Sequence, residues 1–296
     1  AAPYVAITFR KEFREALMDE YDLDKDEAED MVERLKDICF LENKELQELY
    51  PKQYRIAKRR TENKTLQAAE SLYHNLNTLE SRAGSQVPFT SINFGTDISP
   101  EGRLVSKSLL QASINGIGKF NRTSIFPISI FKVKEGVNYN PEDPNYDLFK
   151  LSCEVSAKRL FPNFSFLDAP FNLAFYKPGD YRTEVGYMGC RTRVMSDITD
   201  LNNQTTGGRG NLSFTSINLP RIAIKHGICL KERDKADMEG FYEELEEVME
   251  LVRDQLLDRF EIQCKRHVYN FPFLLEQGIW IDSEGLKNKD GLRKVL

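Results

Sequence analysis

The sequence predicts an α/β protein, a barrel or a layered sheet ringed by long helices and entered through a helical region. Three observations lead there. From residue 87 onward, stretches with apolar residues at helical spacing alternate with short runs rich in β-branched and aromatic residues. Residues 1–84 carry the helical pattern alone. The string Phe-Thr-Ser-Ile-Asn stands at 89–93 and again at 214–218, both times in a strand-like setting. Two equivalent strands of a pseudo-symmetric barrel would produce that echo, and so would chance among strand-forming residues.

The elements follow in order. Phe13, Leu17, Met31, Leu35 and Ile38 recur at helical spacing among many charged residues. Ile56, Leu66, Ala69, Leu72, Tyr73, Leu76 and Leu79 continue the pattern over 54–81, and Gly84 is its expected closing residue. Residues 87–96 read as a strand. Ser99-Pro100-Glu101 supplies an N-cap, a proline at the first helical position and an acid in the first turn, so a helix is expected to about residue 118. A second strand is expected over 124–133, a polar loop over 138–144, a helix through Leu148, Leu151, Val155 and Leu160, and a short strand at 164–167. Residues 185–194 and 212–224 read as two extended segments flanking a glycine-rich loop. A long amphipathic helix over 237–267 places Phe241, Leu245, Val248, Val252, Leu256 and Phe260 along one side. Gly278-Ile279-Trp280-Ile281 is strand-like.

Composition narrows the class. The chain has 296 residues, 41% hydrophobic and 29% charged, as in a soluble globular protein of one large domain or two small ones. Its net charge of −5 argues against a nucleic-acid surface but leaves room for a local phosphate site. No run approaches the ~18–20 apolar residues that span a bilayer, and Ala1-Ala2-Pro3 does not open a signal peptide. The start without Met suggests a piece of a longer chain. The five cysteines, Cys39, Cys153, Cys190, Cys229 and Cys264, include no C-x-x-C pair. A disulfide framework and a four-thiolate zinc site are therefore not expected, and the chain reads as cytoplasmic. His74, His226 and His267 are far apart and suggest no metal site.

The richest stretch is Met188-Gly189-Cys190-Arg191-Thr192-Arg193, followed by Gly207-Gly208-Arg209-Gly210-Asn211. Cys190 has two readings: a small buried hydrophobe, the usual fate of a free cysteine, or a thiol at a loop tip whose pKa the flanking arginines lower. Cys39, Cys153 and Cys264 fall in helical patterns and read as packing residues. The glycine run is either a flexible turn or a backbone nest against a ligand. Asn211 is either a turn former or an amide donor to a small carboxylate. A thiol hydrolase pairing Cys190 with His226, and catalysis by Asp197 and Asp200, find no support in the spacing.

These residues also carry a resemblance to the anaerobic (class III) ribonucleotide reductases, which are glycyl radical enzymes. It covers most of the chain. It includes residues 87–97 (Val-Pro-Phe-Thr-Ser-Ile-Asn-Phe-Gly-Thr-Asp), Ser99-Pro100-Glu101-Gly102-Arg103, residues 125–131, Gly136-Val137-Asn138-Tyr139, residues 143–150, Ser156-Ala157-Lys158-Arg159-Leu160, Pro162-Asn163-Phe164, the Cys190 and Asn211 segments, and Phe271-Pro272-Phe273. The resemblance implies a fold: part of a ten-stranded α/β barrel of the glycyl radical enzyme type with long surrounding helices. Residues 1–84 would be dimer and effector-site helices, and 85–296 part of the catalytic barrel, with its finger loop near 190.

It also implies a chemistry. Cys190 matches the radical cysteine: a glycyl radical takes its hydrogen, and the resulting thiyl abstracts the 3′-hydrogen of a ribonucleoside triphosphate. The 2′-hydroxyl leaves as water and a reductant restores the carbon. Asn211 matches the asparagine that helps place formate, the reductant of one large subgroup. The implied partners are ribonucleoside triphosphates, deoxynucleotide and ATP effectors, an iron–sulfur S-adenosylmethionine-dependent activating enzyme and a second copy in a homodimer, with no nucleic acid and no membrane. The family's glycyl radical loop, its nearby four-cysteine zinc site, its N-terminal ATP-cone and a second active-site cysteine have no counterpart here. The chain is therefore expected to be an internal segment, inactive alone, with the glycyl radical and the structural zinc outside it. Two rivals remain: another glycyl radical enzyme such as a formate-lyase relative, whose loop carries two adjacent cysteines, and a nucleotide-binding regulatory homologue without catalysis.

Overall fold

The computed structural model describes residues 2–21, 24–33, 41–80, 87–189, 192–195, 202, 206, 212–229, 233–276, 280, 283 and 285–295. The chain divides into two compact units, Ala1–Thr206 and Gly207–Leu296.

The first unit begins with four helices, α1 (Ala2–Tyr21), α2 (Lys25–Glu33), α3 (Lys44–Leu49) and α4 (Pro51–Thr78). Of the predicted apolar positions Phe13 and Leu17 enter one core, with Phe9, Leu46, Tyr54 and Ala57, and Ala69 and Tyr73 enter another, whereas Leu72 and Leu79 are exposed. Met31 packs on the edge of the first, whereas Leu35, Ile38 and the expected closing Gly84 lie outside the described residues. Glu12 is buried in this layer, with Lys64 and Arg60 of α4 as its ion partners. An unpaired carboxylate there would be costly to desolvate.

A three-stranded parallel sheet follows, in the order β1 (Ser91–Phe94), β2 (Ile128–Val133), β3 (Asn163–Phe166). Its connections are α5 (Pro100–Asn115) and α6 (Tyr146–Arg159). The predicted start of α5 holds: Ser99 caps it by accepting from the Gly102 amide. The register aligns Phe94, Phe131 and Phe164 on one face, where they meet edge to face at 5.7 and 6.2 Å. With Leu110, Leu148 and Val155 they make the sheet–helix core. Strand alternation puts Ser91, Asn93, Lys132 and Ser165 on the opposite face. The opposite face is mixed, since the buried Ile128 and Ile130 lie on it beside these polar residues.

The loops at the carboxyl ends of β1 and β2 are tied by two fully buried asparagines. The Asn138 and Asn145 amides both donate to the Gly95 carbonyl, at 3.1 Å each. Asn138 also donates to the Lys132 carbonyl and Asn145 to the Asp97 carbonyl, at 2.8 and 2.9 Å. The unit ends with the short helix α7 (Pro170–Leu173) and an antiparallel hairpin, β4 (Gly186–Met188) and β5 (Thr192–Val194).

The second unit centres on α8 (Leu219–His226) and α9 (Met238–Cys264). The predicted stripe on α9 is half-buried at all six positions, and Cys264 is buried at its end. The extended reading of 212–224 is corrected here. Residues 212–218 form no strand, and from Leu219 the chain is helical, because Asn218 accepts from the Arg221 amide and Pro220 occupies the first turn. Of the strand-like 278–281 only Trp280 is described; its indole donates to the Val295 carbonyl at 3.2 Å within a small cluster with Val268, Leu275 and Leu292.

The observed class is mixed α/β, with helices around a small parallel sheet. No helix among the described residues is long and apolar enough to cross a membrane.

Candidate active site: the hairpin that leads to Cys190

The hairpin aligns Gly186 with Val194, Tyr187 with Arg193 and Met188 with Thr192. Gly189 follows β4 at φ +60°, and a Cβ there would lie 3.1 Å from the Phe89 ring. Both the left-handed backbone and the close aromatic favour glycine. Cys190 and Arg191 lie outside the described residues, as do 207–211, including the glycine run and Asn211.

What holds the hairpin is the set of polar side chains on that second face of the sheet. The Asn93 amide donates to the Tyr187 carbonyl at 2.9 Å, and the Tyr187 amide donates to Asn93 Oδ1 at 3.0 Å. The Gly189 amide donates to Ser91 Oγ, also at 3.0 Å. Three residues before the hairpin's tyrosine, Glu184 takes an ion pair from Lys132 at 2.9 Å and another from Lys134 at 3.4 Å. The Lys132 and Glu184 side chains are only 13% and 14% exposed, so neither charge can be stranded cheaply. Lys134 also donates to the Tyr176 hydroxyl at 3.1 Å and sits 4.9 Å from that ring's centroid. Burial alone would push the Lys134 pKa down; the Tyr176 hydrogen bond and the Glu184 charge outweigh it and hold it above the ordinary lysine value. Thr206 closes the base, its hydroxyl donating to the Glu184 carbonyl at 2.7 Å.

Sequence reasoning missed Ser91, Asn93, Lys132, Lys134 and Glu184. A signal for Asn93 existed: an asparagine closes both copies of the repeated string. The ion pairs cross about fifty positions of chain, and nothing local announces them.

The other candidates sort out as follows. The Arg193 guanidinium lies 5.0 Å from the Phe171 ring centroid and reaches Asn172 Oδ1 at 3.4 Å, so α7 occupies it. His226 ends α8. Its Nε2 meets Glu244 at 2.6 Å and its Nδ1 meets Asp237 at 3.4 Å. Lys225 joins Glu244 at 2.6 Å and Arg233 joins Asp237 at 3.4 Å. That is a surface charge network which accounts for His226 without a thiol partner. Cys264 is buried as expected of a packing residue; Cys153 sits on α6 but is exposed, because it falls off the buried stripe of Leu148, Ser152 and Val155. Cys39, Asp197 and Asp200 lie outside the described residues.

Comparison with known proteins agrees with the resemblance. The family model described as anaerobic ribonucleoside-triphosphate reductase matches residues 2–296. A curated anaerobic ribonucleoside-triphosphate reductase from Salmonella typhimurium is 34% identical over 203 residues, 69% of this chain and 26% of that protein. The protein of the same name from Escherichia coli gives the same identity and shares. That of Enterobacteria phage T4 is 34% identical over 190 residues, 64% of this chain and 30% of its own length. The matched region thus spans about a quarter to three tenths of these relatives.

Proposed function

The chain belongs to the anaerobic ribonucleoside-triphosphate reductase family, and on that premise we propose that the protein it forms part of reduces ribonucleoside triphosphates to deoxyribonucleoside triphosphates, with Cys190 as the hydrogen-abstracting group. The observation that carries this is the hairpin. It advances to Cys190 through a glycine in a left-handed turn, and its main chain is fixed to the sheet at Tyr187 and Gly189. A sulfur that must take one hydrogen from one carbon needs such placement: near-attack distances are about 3–3.5 Å, and reaction falls steeply with misplacement. The residues present fit a thiyl-forming site in that respect.

In this proposal a glycyl radical elsewhere in the protein supplies the oxidising equivalent to the Cys190 thiol. The cysteine then takes the substrate's 3′-hydrogen, the 2′-hydroxyl departs as water, and the hydrogen returns from the cysteine after two-electron reduction of the ribose. Formate, oxidised to carbon dioxide, is the proposed reductant, with Asn211 contacting its carboxylate. The proposed frame is the ten-stranded barrel of glycyl radical enzymes, of which β1–β3 and the hairpin are a part. Residues 1–84 are assigned to the helices of a homodimer that reads deoxynucleotide and ATP effectors, and activation to an iron–sulfur, S-adenosylmethionine-dependent enzyme. Since the matched region is about a quarter of the relatives' length, the isolated 296-residue chain is expected to be inactive.

The test is Cys190→Ala in the full-length protein, activated anaerobically. Reduction of ribonucleoside triphosphates should vanish while effector binding persists. Retained activity would end the assignment, and effector binding by a wild type that never reduces substrate would point to a regulatory homologue. Omitting formate while offering dithiols tests the reductant, and Asn211→Ala should raise the formate requirement.

A further inference from the structure

We propose that Asn93, with Ser91 beside it, is the positioning residue for Cys190: its side-chain amide holds the Tyr187 main chain as a neighbouring strand would and so sets where the hairpin delivers the thiol. The inference builds on the assignment of Cys190 above.

A primary amide carries a donor and an acceptor side by side, as a peptide group does. Asn93 spends both on a single residue, donating to the Tyr187 carbonyl at 2.9 Å and accepting from its amide at 3.0 Å. Two opposed residues of an antiparallel ladder exchange hydrogen bonds in the same reciprocal way. The hairpin has only two strands, with β5 on one edge of β4. At Tyr187 the asparagine takes the other edge. Ser91 projects from the same face of β1 two residues earlier and accepts from the Gly189 amide at 3.0 Å.

The sheet therefore grips the chain at 184 through Lys132, at 187 through Asn93 and at 189 through Ser91. The last grip lies one residue, a Cα step of about 3.8 Å, before Cys190. Asn93 itself is solvent-accessible, so it contributes little to the core. Its two bonds bear on the hairpin's placement. A displacement of about 1 Å at a reacting atom is enough to cost on the order of a hundredfold in rate.

The full-length protein is the material for the test, with Asn93→Ala, Asn93→Asp and Ser91→Ala. Aspartate keeps the shape and the acceptor but cannot donate to the Tyr187 carbonyl. Native-state hydrogen exchange should accelerate about tenfold at Tyr187 in Asn93→Ala and at Gly189 in Ser91→Ala, since one hydrogen bond is worth about one decade, whereas Asn93→Asp, which keeps the acceptor for the Tyr187 amide, should retain most of the protection there. Amides of residues 128–133 should keep wild-type protection. At equal glycyl radical content by electron paramagnetic resonance, kcat should fall about a hundredfold in Asn93→Ala with KM unchanged. Unchanged exchange at Tyr187 in Asn93→Ala overturns the proposal. So does faster exchange there with wild-type kcat, and so does equal loss of protection across 128–133, which would make Asn93 a sheet residue only. A parallel Cys190→Ala control keeps the two claims apart: if it stays active the cysteine assignment has failed, while the exchange measurement still decides whether the clamp exists.

Discussion

The same five residues, Phe-Thr-Ser-Ile-Asn, fold in two ways within this chain. At 89–93 the string enters β1, pairs with β2 from Ser91 onward and turns its asparagine toward the hairpin backbone. At 214–218 it forms no strand, although its exposure still alternates from residue to residue. There its main chain is served by side chains of α9: Arg259 donates to the Phe214 carbonyl at 2.8 Å, and Gln263 to the Leu212 carbonyl just before it at 3.1 Å. Its asparagine caps α8. Strand propensity is a preference for a half-buried pleated surface, and it is realised only where a partner strand offers one. The first copy has β2; the second has a helix flank.

The largest effect should come from removing what makes the first copy a strand. Phe131 is fully buried and touches Phe94, Phe149 and Phe164. Phe131→Ala should cost about 3–5 kcal/mol in chemical denaturation, and hydrogen exchange should rise over 91–94 but not over 212–218. If both copies loosen alike, they share more than sequence. Next comes Gly189→Ala, which forces a side chain into φ +60° and against Phe89. A penalty of about 1–2 kcal/mol is expected, confined to exchange in the hairpin. Asn218→Ala should cost about 1 kcal/mol as fraying of α8, visible in exchange over 219–223. Asn93→Ala should leave α8 untouched, so the pair of variants separates the two uses of the same residue.

The smallest effect is acid sensitivity around α8. The Gly240 amide and then His226 hold Asp237 below the ordinary carboxylate pKa of 3.8. Lys225 and then His226 hold Glu244 below its ordinary 4.5. Groups with lowered pKa contribute stability above their ordinary values and lose it as pH falls through the lowered ones. Protection of α8 and the start of α9 should therefore be flat above pH 4.5 and decline below 3.8, while the first copy, which has no such carboxylate pair, stays level over that window.

Much of the fold was legible because it is local. Ser99-Pro100-Glu101 announced α5, and the apolar period drew the half-buried stripe of α9 residue by residue. The alternation of β-branched and aromatic residues located β1, β2 and β3 within a few positions. The start of α8 is missed because Ile217, Ile222 and Ile224 look like strand residues, while the Asn218 cap and Pro220 that begin the helix act only within its first turn. At the site, the sequence pointed to the segment around Cys190, but it read 185–194 as one extended stretch where the structure has the two strands of a hairpin, and it did not point to what anchors them. Asn93 reads locally as a strand's polar position, and Glu184 as an ordinary surface acid. Their partners, Tyr187, Lys132 of β2 and Lys134 just after it, are brought to them only by the tertiary fold.

The grip on Tyr187 and Gly189 involves peptide groups alone. These three bonds read the course of the hairpin's backbone and make no use of the side chains at 187 and 188, so substitutions at either position leave every donor and acceptor of the grip in place.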